Sequence, residues 1–474
     1  MLPSEFKDRM RKLLGVESEA LFDEIENGVA VRSFRINEIK ALVGDKGDFS
    51  PEIVKAPMSF PENAYYTDEE HPGSLPCHHA GMIYMQDPSA MATVHAFRIP
   101  EGANVLDSCS APGGKTTQLA AFVGEKGIVV ANEYDTKRCR ILQSNVERMG
   151  CKNTVVVNLD TAVLAETYPS VFDVVLCDAP CSGEGMFRKN ELAVGEWSLE
   201  NVEMCAERQK EILSNVIKCV KSGGMLIYST CTFSLEENEM NVAWILDNYP
   251  EFRLVPCDSR LSNITADGIT YDGCAYDMSL CRRFYPHISK GEGQFIALLE
   301  RACGECETET KTSKIEKKKK SLPPKKDKTE VELLSAASDF LKENIRKNIE
   351  NEGGYTLFAL GGKAYLKPDI ALPKYGVFAA GVCVGEMVGK RFVPHHQLFS
   401  AFGKDFLRRV NLTQSESATF DYLRGAEISV DGRLESDGKN DGYAAILVDG
   451  CPLGGGKISG GVCKNHYPKG LRNQ

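Results

Sequence analysis

The chain reads Val171-Phe172-Asp173-Val174-Val175-Leu176-Cys177-Asp178-Ala179-Pro180-Cys181-Ser182-Gly183 and, further on, Met225-Leu226-Ile227-Tyr228-Ser229-Thr230-Cys231-Thr232. In each segment an unbroken apolar run leads into a cysteine that lies in a turn-like sequence. Such runs are typical of parallel strands that are buried on both faces. Because parallel strands of a doubly wound sheet end at the edge where ligands bind, we predict that Cys181, Cys231 and Asp178 share one crevice.

Most of the 17 cysteines are expected to be ordinary reduced residues of the interior, since free cysteine is among the most buried residue types. Two of them differ in their surroundings. Pro180 and Gly183 flank Cys181, and Ser229 and Thr230 precede Cys231, so both lie in turns rather than within strands. We therefore interpret this pair as candidate reactive thiols.

A strand, a turn and a helix precede this segment. The strand Asn104-Val105-Leu106-Asp107 leads into Ser108-Cys109-Ser110-Ala111-Pro112-Gly113-Gly114-Lys115-Thr116. A glycine-rich turn that opens a helix lets backbone N–H groups approach an anionic or polar ligand. A nucleotide P-loop is excluded because position 109 is cysteine where that motif needs glycine. The dinucleotide-binding fingerprint is incomplete as well, since only Gly113 and Gly114 are present.

Four predicted strands end in an acid, namely Asp107, Glu133, Asp160 and Asp178. An acid about twenty residues beyond the turn, as Glu133 is, is placed to accept hydrogen bonds from a ribose diol. Taken singly, each acid is more often solvated or a helix cap. Their matching positions predict an acidic edge of a parallel sheet and favour an adenosyl ligand.

Composition limits the class of protein. The 474 residues predict two to four domains, and 42% hydrophobic with 26% charged residues is typical of a soluble globular protein. No apolar run approaches membrane-spanning length, and charges from Lys7 onward interrupt any signal peptide, so we expect a cytoplasmic protein without membrane contact. Cys77-His78-His79 lacks a partner pair at zinc-site spacing, so no metal site is predicted.

Net charge argues against a generic polyanion binder, because it is -10. Charge is unevenly distributed, however. The run from Lys311 to Lys328 holds nine lysines against Glu316 and Asp327, which predicts an exposed linker that either strengthens RNA association or only keeps the chain soluble.

We predict four regions: an N-terminal segment at 1-75, a catalytic domain at 76-302, the Lys-rich linker at 303-328 and a β-rich C-terminal region at 329-474. In the first, Arg32 and Arg35 lie on the polar face of a strand, where they either touch RNA phosphate or are simply solvated. In the second, Ser234 and Glu237 form a capping-box pattern. The last has a basic end with Lys457, Lys464, His466, Lys469 and Arg472.

These motifs resemble those of the Sun/nucleolar-protein family of RNA 5-methylcytosine methyltransferases. The resemblance rests on 107-116, on Asp178-Ala179-Pro180-Cys181-Ser182-Gly183-Glu184-Gly185 and on Ser229-Thr230-Cys231-Thr232, and it spans about residues 1-302. The tail, with Leu453-Gly454-Gly455-Gly456-Lys457 and Lys464-Asn465-His466-Tyr467-Pro468, is similar to the bacterial RsmF branch, which acts on 16S ribosomal RNA.

The resemblance implies a Rossmann-like class I α/β methyltransferase with a small α+β RNA-binding segment before it and a β-rich PUA-like module after it. It implies S-adenosylmethionine as cofactor and ribosomal RNA or the small ribosomal subunit as partner. Nothing in the sequence demands more than a monomer. Cys231 is implied as the nucleophile, with Cys181 assisting elimination and Asp178 stabilising the charge that develops on the base. The implied cofactor site consists of Cys109, Ser110, Ala111, Pro112, Gly113, Gly114, Lys115, Glu133, Asp160 and Asp178.

Residue chemistry leaves alternatives open. DNA cytosine methyltransferases attack with the cysteine of a Pro-Cys motif, which would select Cys181 instead of Cys231. A transfer-RNA or DNA cytosine methyltransferase fits the same core motifs. A ribosome-assembly factor that binds RNA and cofactor without turnover is a further alternative, although the intact cysteines and Asp178 disfavour it.

Overall fold

The N-terminal region packs helices beside a small antiparallel sheet in the computed structural model, which describes residues 1-40, 53-303, 328-349 and 354-473. The helices are α1 (Ser4–Leu14), α2 (Glu17–Asn27), α3 (Pro76–His79) and α4 (Pro88–Ala92). The strands are β1 (Arg32–Ile36), β2 (Ala56–Pro57), β3 (Ala64–Thr67) and β4 (Ile83–Met85), in the order β2-β3-β1-β4. Phe6 and Met10 on α1 are buried, as their helical spacing predicts.

Strand β1 differs from its prediction at Arg35. Its side chain is only 4% exposed, and its guanidinium donates to Gln86 Oε1, to Gly114 O and to Thr117 Oγ1. The predicted polar face is covered because β1 packs against the turn and helix that contain Gly114 and Thr117. The prediction that Arg35 contacts RNA phosphate is therefore wrong, and so is the alternative that its side chain is simply solvated. Arg32, in contrast, is exposed.

A ten-stranded sheet is the centre of the described structure. Its order is β11-β12-β13-β9-β8-β5-β6-β7-β16, with β10 beside β13. The strands are β5 (Asn104–Asp107), β6 (Ile128–Asn132), β7 (Thr154–Val157), β8 (Phe172–Asp178), β9 (Val220–Thr230), β10 (Phe252–Val255), β11 (Ala266–Asp267), β12 (Arg282–Phe284), β13 (Gln294–Arg301) and β16 (Val377–Ala380). Strands β5 to β9 run parallel, which confirms the predicted α/β class.

Helices cover both faces of this sheet. They are α5 (Gly114–Phe122), α6 (Thr136–Arg148), α7 (Thr161–Thr167), α9 (Leu199–Val216) and α10 (Glu239–Asn248). The short helix α8 (Glu191–Glu196) packs instead against the buried residues of α1 and α2. Side chains alternate along the strands, so Val105 packs with Leu119 and Leu142 on one face and Leu106 with Leu213 on the other. Two covered faces explain why the strands are unbroken apolar runs.

The C-terminal region contributes two more sheets. One has the order β14-β15-β17-β18 and the other β20-β24-β23-β22-β19-β21. The strands are β14 (Thr356–Leu360), β15 (Lys363–Lys367), β17 (Val382–Val388), β18 (Arg391–Pro394), β19 (Arg408–Leu412), β20 (Ile428–Ser429), β21 (Leu434–Ser436), β22 (Gly442–Val448), β23 (Cys451–Ser459) and β24 (Val462–Asn465). The helices are α11 (Lys328–Asn344), α12 (His396–Phe402) and α13 (Ser417–Arg424).

One strand of this region belongs to the central sheet. β16 pairs antiparallel with β7, with Ala379 opposite Val156 and Ala380 opposite Val155. Most of the predicted Lys-rich linker, residues 304-327, lies outside the described residues. The division of the chain into four domains stays a prediction.

Lys40 joins the three regions at a buried point. Its ammonium donates to Ala80 O and Arg148 O at 2.8 and 2.9 Å, and to Ser400 Oγ and Pro452 O at 2.8 and 3.0 Å. These acceptors come from the N-terminal region, the central domain and the C-terminal region. No helix within the described ranges is long and apolar enough to cross a membrane.

Candidate active site

The two cysteine turns meet at the carboxyl edge of β8 and β9. These strands pair in parallel with Asp178 opposite Ser229, so the segments that follow them leave the sheet side by side. Cys181 Sγ lies 3.1 Å from Cys231 Sγ, and the Cys231 N–H donates to Cys181 Sγ at 3.3 Å. Both side chains are half-buried and both are free thiols. The structure thus brings together the two sulfurs that the sequence separates by fifty positions.

The environment of Cys181 favours its protonated form. Its hydrogen bond with Cys231 is the largest cause, followed by burial, and together they raise the pKa of the Cys181 thiol well above its usual range. A thiol that keeps its proton beside a second sulfur can donate that proton to it. The Cys181 thiol is therefore placed to donate a hydrogen bond to the Cys231 sulfur.

The carboxylate of Asp178 is fixed by three donors. Lys115 Nζ lies 2.7 Å from Oδ2, while Ser229 Oγ donates to Oδ1 at 2.6 Å and Gln294 Nε2 at 3.2 Å. Lys115 comes from the start of α5, Ser229 from β9 and Gln294 from β13. Elements distant along the chain thus place one carboxylate and one ammonium beside the thiols.

A pocket next to this group is formed by the turn before α5. Gly113 sits at φ +108°, a left-handed conformation that glycine adopts without strain, and Leu142 Cδ1 would lie 3.1 Å from an added Cβ. Of the predicted cofactor residues, the pocket is lined by Cys109, Ser110, Ala111, Pro112, Gly114, Lys115 and Asp178.

The remaining predicted cofactor residues lie outside the pocket lining. Glu133 is 5% exposed; its Oε1 accepts from the Asp135 N–H, and its Oε2 lies 3.7 Å from Arg138 Nη1. Asp160 is exposed and caps α7 by accepting from the Ala162 N–H. Gly113, Glu133 and Asp160 are not among the residues that line the pocket.

Sequence reasoning missed several residues of this site as ligand contacts. Tyr84 and Gln86 line the pocket from β4 and the segment after it, and Asp107 lines it from the end of β5. The position of Asp107 at the end of a predicted strand was a signal that it could contact a ligand. Nothing in the local sequence connects β4 to the pocket, because that contact depends on how two regions pack.

Asp107 has an unusual environment. Oδ2 accepts from Thr116 Oγ1 at 2.7 Å, whereas Oδ1 is buried with no hydrogen-bond partner in the described structure. Burial raises the pKa of this carboxyl to about 7. An unsatisfied buried oxygen is costly, so Oδ1 is an acceptor available to a donor from a ligand.

The predicted capping box of Ser234 and Glu237 is wrong. Helix α10 begins at Glu239, and its N-cap residue Asn238 makes no side-chain cap. Glu237 instead accepts hydrogen bonds from Ser182 at the other cysteine turn. A tertiary contact has displaced the local one.

Three family models match the chain. They are the 16S rRNA methyltransferase RsmB/F over residues 94-300, the N-terminal domain of 16S rRNA methyltransferase RsmF over 2-88, and the methyltransferase RsmF PUA domain over 409-473. The ribosomal RNA small subunit methyltransferase F of Klebsiella pneumoniae (strain 342) is 30% identical, covering 93% of this chain and 90% of that protein. The protein of the same name from Escherichia coli O157:H7 is 27% identical over the same shares.

Solved structures show the same catalytic fold. A methyltransferase homologue from Pyrococcus horikoshii superposes with a TM-score of 0.54 at 27% identity, covering 63% of this chain and 95% of that one. NSun6 from the same organism, solved with SFG, has a TM-score of 0.51 at 22% identity and covers 64% of this chain and 99% of that one.

Proposed function

Because the chain belongs to the family of ribosomal RNA small subunit methyltransferase F, we propose that it methylates carbon 5 of cytosine in 16S ribosomal RNA through a covalent cysteine-RNA intermediate. S-adenosylmethionine is the methyl donor, and when bound it supplies an electrophilic methyl group on a cationic sulfonium. The observation that carries the proposal is the 3.1 Å approach of the Cys181 and Cys231 sulfurs in the turns that follow β8 and β9, at the strand ends where Asp178 pairs with Lys115.

Carbon 5 of cytosine is a poor nucleophile, which explains the need for a thiolate. Cys231 adds to carbon 6 and forms a carbon–sulfur bond, so that electron density shifts to carbon 5. With the cofactor bound, this carbon would take the methyl group as the methyl–sulfur bond breaks and the sulfonium leaves as a neutral thioether. The proton on carbon 5 must then leave. Its removal lets the electron pair re-form the 5,6 double bond and expel the Cys231 thiolate.

Asp178 and Lys115 act on the charge that develops during the addition. Negative charge grows on N3 of the ring, and Asp178 offsets it by delivering to N3 a proton that its Oδ2 receives from the Lys115 ammonium. Lys115 Nζ lies 2.7 Å from Asp178 Oδ2, so the proton moves along an existing hydrogen bond, and Asp178 is a carboxylate again at the end of the step.

Cys181 takes the proton from carbon 5. Its hydrogen bond with Cys231 is the largest cause of its raised pKa, and that bond ends once the Cys231 sulfur is bound to carbon 6. After the covalent intermediate has formed, the Cys181 thiol passes its own proton to solvent, and the resulting thiolate takes the proton from carbon 5.

The pocket beside the turn before α5 suits the cofactor. A cationic sulfonium is favoured by nearby carboxylates, and Asp107 Oδ1 supplies a buried acceptor without another partner among the described residues. We assign binding to residues 109-115 and to Asp178, with Glu133 accepting from the ribose hydroxyls through Oε2 and Asp160 on the adenine side.

Trapping on RNA that contains 5-fluorocytosine tests this function. Fluorine at carbon 5 cannot be removed as a proton, so the complex stays covalent. We expect an adduct with the unaltered protein and with Cys181→Ala, and none with Cys231→Ala. An adduct that survives Cys231→Ala but is lost in Cys181→Ala would exchange the two roles.

Substrate competition separates the alternatives. Tritium transfer from labelled S-adenosylmethionine to small-subunit RNA, naked or assembled, is expected to exceed transfer to transfer RNA or DNA. Absence of transfer to every substrate would favour an assembly factor that binds without turnover.

The C-terminal region supplies an RNA-binding surface in this proposal. We define the basic strip as Arg391, Tyr443, Lys457, Lys464 and His466, where Arg391 lies close enough to Tyr443 to act on its phenol electrostatically. Tyr443 pairs with Lys457 across β22 and β23, and Lys457 pairs with Lys464 across β23 and β24, so all three share one face. Lys457 Nζ lies 5.3 Å from the centre of the Tyr443 ring, and the His466 ring packs edge-on against it at 5.7 Å.

The charges of the strip are available to an external anion. Lys457 and Lys464 are exposed, and within the described structure no carboxylate forms an ion pair with them or with Arg391. Cations of this kind release counterions on binding phosphate, and an aromatic ring beside them can stack on a base. Arg472 from the predicted basic end is excluded, because its guanidinium donates to Tyr467 O.

A further inference from the structure

The turn that carries Cys181 is held on both sides by two buried side chains. Gln209 Nε2 on α9 donates to Pro180 O at 3.0 Å, just before the cysteine. Glu237 accepts from the Ser182 N–H at 3.0 Å and from Ser182 Oγ at 2.5 Å, just after it. Both side chains have no exposed surface.

Gln209 and Glu237 also bond to each other. Gln209 Nε2 donates to Glu237 Oε2 at 2.8 Å, so the two anchors form one unit. Asn241 Nδ2 donates to Gln209 Oε1 at 2.8 Å and fixes the orientation of the amide. Burial raises the pKa of Glu237 to about 7, which is consistent with a carboxyl kept in place by donors rather than by a cation.

The same unit reaches the strand that carries Cys231. Tyr228 OH lies 3.1 Å from Gln209 Oε1 and 2.5 Å from Glu237 O. Ser182 Oγ also lies 2.9 Å from Thr232 Oγ1, the neighbour of Cys231. One buried network therefore sets the position of the Cys181 turn relative to the Cys231 strand.

We propose that Gln209 and Glu237 are positioning residues that hold Cys181 against Cys231, and that the step they control is release of the enzyme from methylated RNA. This inference rests on the proposed function, because it needs Cys181 to remove the carbon 5 proton. Attack by Cys231 should survive loss of the unit, since Cys231 directly follows β9 and that strand is paired on both sides.

A shift of the Cys181 sulfur by about 1 Å would slow proton removal by about 10²-fold. Turnover should fall by that factor and KM for RNA should fall with it, so that kcat/KM stays within about threefold, because binding and attack precede the slowed step. The covalent complex formed with ordinary cytosine RNA should then accumulate.

The variants are Gln209→Leu, which keeps the side-chain volume, Glu237→Ala and Glu237→Gln. In Glu237→Gln the amide oxygen can still accept from the Ser182 N–H and from Gln209, while the amide nitrogen donates to Ser182 Oγ in place of the bond it replaces. Gln397→Ala is the matched control. Its amide donates to Gly381 O and accepts from the Cys383 N–H, so it loses the same kinds of buried bonds far from the thiols.

Each variant is assayed as the full chain for thermal stability, turnover, adduct on 5-fluorocytosine RNA, and adduct on ordinary RNA with S-adenosylmethionine. We expect Gln209→Leu and Glu237→Ala to form the fluorinated adduct at the normal rate and to accumulate the ordinary one. Glu237→Gln should restore turnover, and Gln397→Ala should lower only stability.

The inference is overturned if folded Gln209→Leu loses adduct formation as fully as turnover, or if it turns over normally. The proposed function would fail in a different way. In that case the unaltered protein would form no adduct on 5-fluorocytosine RNA, whatever the variants do.

Discussion

The crevice that holds Cys181, Cys231 and Asp178 and the basic strip are both polar, but their charged groups differ in whether the protein itself provides a partner. In the crevice, Asp178 has three donors and Glu237 has bonds to two residues. On the strip, Lys457 and Lys464 are exposed without a carboxylate partner among the described residues. Groups that act on a reacting base are fixed in advance by the protein, whereas groups that meet a long polyanion are left for that partner to pair.

The largest expected effect concerns a fixed charge in the crevice. Asp178→Asn keeps the shape but removes the carboxylate that Lys115 pairs, so turnover should fall by about 10²- to 10³-fold. Asp173→Asn is the matched control, because Asp173 lies on the same strand and pairs with Lys221 at 2.8 Å. Single-turnover methylation measures both. If both variants lost the same fraction of the methylation rate, any ion pair on β8 would be needed for activity. The contrast between fixed charges in the crevice and unpaired charges on the strip would then be unsupported.

A smaller effect is expected on the strip. Lys457→Ala with Lys464→Ala should weaken RNA binding by about tenfold and reduce the salt slope of log K by roughly 0.7 to 0.9 per cation. The control is Lys218→Ala with Lys374→Ala, two exposed lysines outside the strip. Titration of 16S RNA fragments at several salt concentrations gives both quantities. If the control pair changes the slope as much as the strip pair, the surface is not selective.

A third effect, on stability and not on activity or binding, tests the exception in the adjoining pocket, where Asp107 Oδ1 has no partner in the described structure. Burial raises the pKa of Asp107 from 3.8 to about 7, so between these values the folded state binds more protons than the unfolded one. The free energy of unfolding should therefore fall as pH rises from about 4 to 7, by at most about 1.4 kcal/mol per pH unit from this group. Asp107→Asn should flatten that part of the curve in thermal melts without cofactor. A curve of unchanged slope would show that Asp107 is already ionised.

The sequence predicts the crevice better than what surrounds it. The apolar runs before Cys181 and Cys231 specify buried strands, and parallel pairing at one sheet edge then follows from the fold class, so the approach of the two sulfurs could be expected. Arg35 could not be placed, because alternation along β1 shows which residues share a face but not what covers that face. Ser234 and Glu237 match a local capping pattern, yet Ser182, fifty-five positions before Glu237, provides better partners for the carboxylate.

The C-terminal region could be predicted as β-rich but not assigned to sheets. Short strands with many glycines carry little information about their partners. The segment Val377–Ala380 pairs with β7 and not with the other described strands of the C-terminal region. This pairing depends on how the regions pack, so it could not be predicted from the local sequence.

This pairing decides how the protein can be divided for experiments. A fragment cut at the Lys-rich segment would keep β7 but lose the strand that covers its outer edge. The exposed backbone of Thr154–Val157, with three valines, would then offer unpaired N–H and C=O groups to other copies, and such edges promote aggregation. A soluble catalytic fragment should therefore require residues 377-380, fused to it or added as a separate peptide.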